Sequence, residues 1–148
     1  MATAWDPSFR AALADRAIRL TADARPAWGK LNATGMLAHV NDSYRMALGD
    51  LYVGPKNLPI RFTPIKQLII YVAPFPKSAP TAPELIARCD SAVLADEQKT
   101  YRELLARLAA VTPQTKLQDH PAFGKLTHRA YGVLIARHTD HHFRQFGL

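Results

Sequence analysis

Seven of the eleven prolines fall between Pro55 and Pro83, and this crowding constrains the fold more than any other feature of the chain. Proline offers no N–H and its ring clashes with the preceding helical turn, so neither a long helix nor a central strand runs through such a stretch. Regular structure must lie on either side of it. The stretch itself reads as one long connection that carries a single short helix near Ile65–Val72.

Four longer segments remain, each with helical character. The first runs from about Pro7 to Leu20, with Asp6 as N-cap and Pro7 at the first helical position, where a missing N–H costs nothing. The second runs from about Ala33 to Leu48, between Asn32 as N-cap and Gly49 as terminator. The third extends from about Pro83 to Ala110 and is rich in Ala, Leu, Glu, Arg and Gln, all good helix formers. The fourth runs from His128 to about Phe146 behind a Thr127 cap. Two of these starts share a pattern, Trp28-Gly29-Lys30-Leu31-Asn32 and Phe123-Gly124-Lys125-Leu126-Thr127. In each, the leucine before the cap is placed to clamp an apolar residue inside the helix, Met36 or Tyr131, which sets the angle of approach. Alternation of apolar and polar residues over five or more positions is hard to find, so no strands are expected. The expected fold is all-α: a four-helix bundle with a long proline-rich connection between its second and third helices.

At 148 residues the chain is the size of one domain, and residues 1–148 are read as a single helical-bundle domain. Its 48% hydrophobic and 21% charged residues suit a folded globule. The longest apolar run, Leu68–Ala73, is far short of a membrane-spanning helix, and Met1–Pro7 has neither the basic start nor the apolar stretch of a secretory signal. No membrane partner is expected. Cys89 is the only cysteine, which excludes an intrachain disulfide and a cysteine-based metal cage and fits a cytoplasmic setting. A net charge of +7 raises the question of a polyanionic partner, but no two of the 19 Lys and Arg residues are adjacent and acids fall among them. That is a solvated surface rather than a phosphate-binding stripe, so no nucleic-acid partner is expected.

The chemistry lies in the histidines. Of six, three crowd into His138-Thr139-Asp140-His141-His142. At about 100° per residue, His138 and His142 share one helix face, the face of Tyr131, Leu134 and Ile135, while Arg137, Asp140 and Arg144 fall opposite. Two inward imidazoles must be met by something, because an unpaired buried polar group costs on the order of 1–3 kcal/mol. A divalent metal would meet them, and so would a hydrogen-bonded cluster; spacing alone does not choose. The Glu of the zinc-protease H-E-x-x-H pattern is absent, with Thr139 in its place. A third ligand is expected from His39, at the margin of the second helix's apolar stripe of Met36, Leu37, Val40, Tyr44 and Ala47. His141 ranks behind His142, and His120 and His128 read as turn, capping or surface residues. Asp42 and Asp140 are expected to point away from the apolar faces, leaving no catalytic residue assigned, and Tyr44 and Arg45 are placed near an opening for an anionic substrate.

The segment Trp28–Asn32 through Met36-Leu37-Ala38-His39-Val40-Asn41-Asp42, the run Pro74–Pro83, Phe123–Leu126 and the ending His138-Thr139-Asp140-His141-His142-Phe143-Arg144-Gln145-Phe146-Gly147 together resemble the DinB-like superfamily. The resemblance covers nearly the whole chain, which is similar in particular to a branch of uncharacterised small proteins. It implies a four-helix bundle holding one divalent metal, zinc or nickel, through one histidine of the second helix and a paired H-x-x-x-H near the end of the last. By position these are His39, His138 and His142. It further implies a metal-dependent enzyme of the thiol-transferase or hydrolase kind, acting on a small molecule with a low-molecular-weight thiol as co-substrate. The alternative is a non-catalytic binding or stress-response module built around a structural histidine cluster. A homodimer through helix faces is compatible with so short a bundle.

Overall fold

The computed structural model describes residues 1–77 and 79–148, so Ser78 of the Pro74–Pro83 run lies outside the described residues. It contains five α-helices: α1 (Pro7–Arg19), α2 (Ala33–Leu48), α3 (Ile65–Tyr71), α4 (Leu94–Ala109) and α5 (His128–Gln145). Single 3₁₀ turns stand at Pro59–Arg61 and Pro83–Leu85. Among the described residues there are no strands, only an isolated bridge between His120 and Gly124.

Local chemistry accounts for most of the helix ends. Asn32 accepts a 2.7 Å hydrogen bond from the Gly35 N–H, and Thr127 accepts one of 3.2 Å from Ala130, so α2 and α5 start where their caps satisfy an otherwise orphaned donor. Gly49 ends α2 at φ 89°, a conformation that side chains with a Cβ resist. Asp6 occupies the cap position of α1 but does not cap it. Its carboxylate accepts from the Thr3 N–H at 2.7 Å instead, drawn back toward the chain start.

The third segment departs from expectation. Helix starts at Leu94, and residues 86–93 lie across α2 rather than leading into α4. Propensity loses here to packing and charge. The Cys89 thiol donates to the Gly35 carbonyl at 3.1 Å, and the Arg88 guanidinium sits between Asp42 of α2 (3.0 Å) and Glu97 of α4 (2.7 Å). Asp96 and Glu97 then place negative charge in the first turn of α4, where the helix dipole favours it.

α4 packs on α1 and α2, and α5 packs on α1, α2 and α3. Between the four long helices lies the main apolar cluster, with Leu13, Met36, Leu37, Val40, Tyr44, Tyr101, Leu108 and Phe143 almost wholly out of water. Each such side chain contributes about 1.5–3 kcal/mol by burial. A smaller cluster of Ile70, Phe123, Ala130, Val133 and Leu134 fixes α3 and the proline-rich connection to the flank of α5. Arg137 works in the same place. Expected on a solvent face, it instead donates to the carbonyls of Ile69, Ile70 and Ala73 and so closes the C-terminal end of α3. At the far end of α5, Arg16 of α1 bonds Asp140 at 2.8 Å and the Leu148 carbonyl at 2.7 Å, which holds the histidine-bearing turns against the rest of the molecule.

Candidate metal centre

His39 stands in the middle of α2, buried at 4% exposure under the turn at Leu85; His138 and His142 stand one turn apart on α5, facing it. Their ring nitrogens converge. Nε2 of His138 lies 3.2 Å from Nε2 of His39 and 3.2 Å from Nε2 of His142, and the donor atoms of all three fall within 4.8 Å of one another. His141 is outside this convergence.

The outer nitrogens settle which atoms carry protons. Nδ1 of His39 is 3.0 Å from the Leu85 carbonyl, which can only accept, so the proton is on Nδ1 and Nε2 is a bare lone pair. Nδ1 of His142 donates at 3.0 Å to Oε1 of Gln145, whose amide is oriented by its own donation at 2.5 Å to the Trp28 carbonyl. Nε2 of His142 is therefore a second bare lone pair. Both aim at Nε2 of His138, which has at most one proton to offer for two 3.2 Å contacts. A purely hydrogen-bonded cluster leaves one nitrogen unmet.

A cation leaves none unmet. Nitrogens about 2.0–2.1 Å from a tetrahedral ion lie about 3.3 Å from each other, close to the two short contacts, and three ligands leave a position open. Electrostatics favours the ligating form of each ring. Burial pushes His39 below the usual imidazole range, with the Leu85 carbonyl and Asp42 pulling weakly the other way. Burial, then the neighbouring His142 and His39 rings, lowers His138 further. Burial, then His39, takes His142 down to about 3. All three rings are neutral at physiological pH, as metal ligation requires.

Aromatic rings stand beside the cluster. Phe75 lies edge-on to His138 (6.4 Å between centroids) and to His141 (6.0 Å), and Trp28 lies 5.6 Å from His141. A cavity of about 200 Å³ opens beside them, lined by Phe75, Arg137, Asp140, His141 and Arg144.

Three sequence expectations are corrected here. Asp42 does not point to solvent: it is buried and paired with Arg45 (3.1 Å) and Arg88, because the segment carrying Arg88 covers that side of α2. Tyr44 lines no opening, since its hydroxyl is buried 2.8 Å from Thr139 and 3.4 Å from Tyr101. Arg45 is committed to Asp42. Asp140 is tied to Arg16 and Arg144, as befits the outer side of α5. Cys89 is buried with its thiol pushed up to about 11, first by burial and then by Asp42, so it supplies no thiolate. Sequence reasoning missed Gln145, which lies three residues from His142 on the same side of the helix and was readable by that spacing, and the carbonyls of Leu85 and Trp28, which have no sequence signature. It placed His120 in a turn, where its Nδ1 accepts from the N–H groups of Ala122 (3.2 Å) and Phe123 (3.3 Å).

A family model described as the DinB superfamily matches residues 10–146. No curated protein and no solved structure matches the chain.

Proposed function

This chain belongs to the DinB superfamily, and from that premise we propose that His39, His138 and His142 hold one divalent cation, zinc or nickel, in a metal-dependent enzyme of the thiol-transferase or hydrolase kind. The four long helices form the DinB-like four-helix bundle around it, with the long proline-rich connection, which carries α3, running between α2 and α4. The single observation that carries the reading is the pair of 3.2 Å contacts between nitrogens that share at most one proton.

The residues divide the work simply. Leu85 and Gln145 hold the outer protons of His39 and His142, which aims both lone pairs inward and strengthens them as ligands. Phe75 and Trp28 exclude water from one side of the site, and the cavity beside His141 admits a small molecule flanked by Arg137 and Arg144. An ion with an open position lowers the pKa of a coordinated water or thiol toward neutrality and polarises a carbonyl.

The test is elemental analysis of the untagged protein purified without chelator, beside His138→Ala. One zinc or nickel per chain in the wild type and none in the variant is expected; equal metal in both would place the ion elsewhere, and none in either, with no rise in thermal stability on adding Zn²⁺ or Ni²⁺, would leave a structural cluster. Turnover of an electrophile with a panel of low-molecular-weight thiols, lost in His138→Ala, then separates an enzyme from a binding module.

A further inference from the structure

Among the described residues ten large apolar side chains stand exposed, and six of them fall within one stretch: Tyr52, Leu58, Phe62, Ile65, Leu68 and Val72. The last four recur at intervals of three, three and four, along α3 and its approach. α3 already has an inner face, because Ile69, Ile70 and Tyr71 belong to the cluster that packs on Val133 and Leu134 of α5. Phe62, Leu68 and Val72, at 65%, 53% and 70% exposure, project on the other side. A helix that is apolar on both sides belongs in an interior or under a cover.

Charge says which cover. The chain has 12 Asp and Glu residues, and none lies between Leu51 and Pro83, where Lys56, Arg61, Lys66 and Lys77 do. Arg61 and Lys66 are held by neutral carbonyls, those of Lys56 and Pro121 for the first and that of Lys125 for the second. Among the described residues neither is paired with an acid, so their positive charge is not neutralised. Two copies of the chain meeting on this face would bring like charges together with no acid from this stretch to offset them. A protein partner of ordinary interface size takes about 800 Å² and about 20–30 residues on each side, more than one short helix and its approach provide. A few protruding apolar side chains in a stretch whose only charges are positive match what an anionic bilayer surface accepts.

We propose that the face formed by Phe62, Ile65, Leu68 and Val72, helped by Lys56, Arg61 and Lys66 of the same stretch, docks on the surface of an anionic lipid bilayer. The sequence expectation of no membrane partner rested on the lack of a spanning segment, and no helix among the described residues is long and apolar enough to span. Surface docking needs none.

Co-sedimentation of the full chain with vesicles tests this, using phosphatidylcholine alone and phosphatidylcholine mixed with phosphatidylglycerol. Partition into the mixed vesicles should exceed that into phosphatidylcholine by about tenfold at low salt and fall as salt rises. The double variant Phe62→Ser, Leu68→Ser, both exposed positions, should lower it by about tenfold or more with the helical circular dichroism unchanged. Lys66→Glu should weaken it while leaving the apolar face intact. Equal partition into both vesicle types, or a double variant that sediments like the wild type, overturns the proposal. So does a concentration-dependent dimer that the double variant abolishes, since a second copy would then cover the face.

Discussion

Trp28–Asn32 before α2 and Phe123–Thr127 before α5 are built alike and connected differently. Each has a glycine with positive φ, 82° at Gly29 and 67° at Gly124, and each ends on a residue that caps the helix behind it. The second turn closes through its own neighbours, Gly124 exchanging two backbone hydrogen bonds with His120, whose ring also accepts from Ala122 and Phe123, and its outer carbonyls at Pro121 and Lys125 accept from Arg61 and Lys66 of the proline-rich connection. The first reaches across 117 residues, because the Trp28 carbonyl accepts from Gln145 and Gln145 orients His142. A five-residue pattern thus specifies a turn and a helix start, while the part that turn plays is set by whatever stands opposite it.

The contrast is open to attack at several points. The strongest effect is expected in acid, on the second turn. Burial, with Arg61 nearby, takes His120 down to about 4, against about 6.5 in an unfolded chain. The unfolded chain therefore binds the proton more readily, so this stabilisation is complete above pH 6.5 and is lost as pH falls toward 4, by up to about 3 kcal/mol. His120→Asn keeps a side-chain acceptor for the two N–H groups and does not titrate. Urea denaturation from pH 7 to 4 should show a flatter acid limb in this variant than in the wild type, with metal affinity unchanged; parallel limbs would mean that burial does not hold the ring neutral.

On the other turn the expected loss is in metal affinity. Gln145→Leu removes the acceptor of the His142 proton and the tie to Trp28, and should weaken zinc binding about 10–100-fold in a chelator competition. An unchanged affinity would detach the Trp28 turn from the site and erase the contrast between the two turns.

The smallest effects come from the paired glycines. Gly29→Ala and Gly124→Ala share the same backbone strain, about 1 kcal/mol in a thermal melt. They differ in what the new methyl meets: at position 29 it would stand 2.5 Å from Nε2 of Gln145, and at position 124 it would stand 3.0 Å from the flexible end of Arg61. Only Gly29→Ala should also lower metal affinity. Equal behaviour of the two would show that Gln145 moves aside without consequence for His142.

What could be read in advance was what lies close in sequence or repeats with a helix. Asn32, Gly49 and Thr127 mark helix ends because capping is a matter of three or four residues. His138 and His142 point inward because the same period places Leu134 and Ile135 inward. The start at Leu94 was not legible, since residues 86–93 have helical propensity and are held elsewhere by Arg88 and Cys89. The burial of Asp42 was hidden for a related reason. A helical wheel treats the face opposite the apolar stripe as solvent and knows nothing of a loop that comes to lie on it. The carbonyls that orient the histidines were beyond reach, because every residue has one.

The proton of His39 is given to a carbonyl that belongs to no α-helix, three residues before the arginine wedged between Asp42 and Glu97. If ion affinity depends on that proton staying where it is, reciprocity requires that a bound ion tighten the attachment of residues 83–93 to α2 by the same free energy. Loading is then legible far from the ion, as slowed amide exchange and slowed proteolysis in a strap of backbone that does not ligate it.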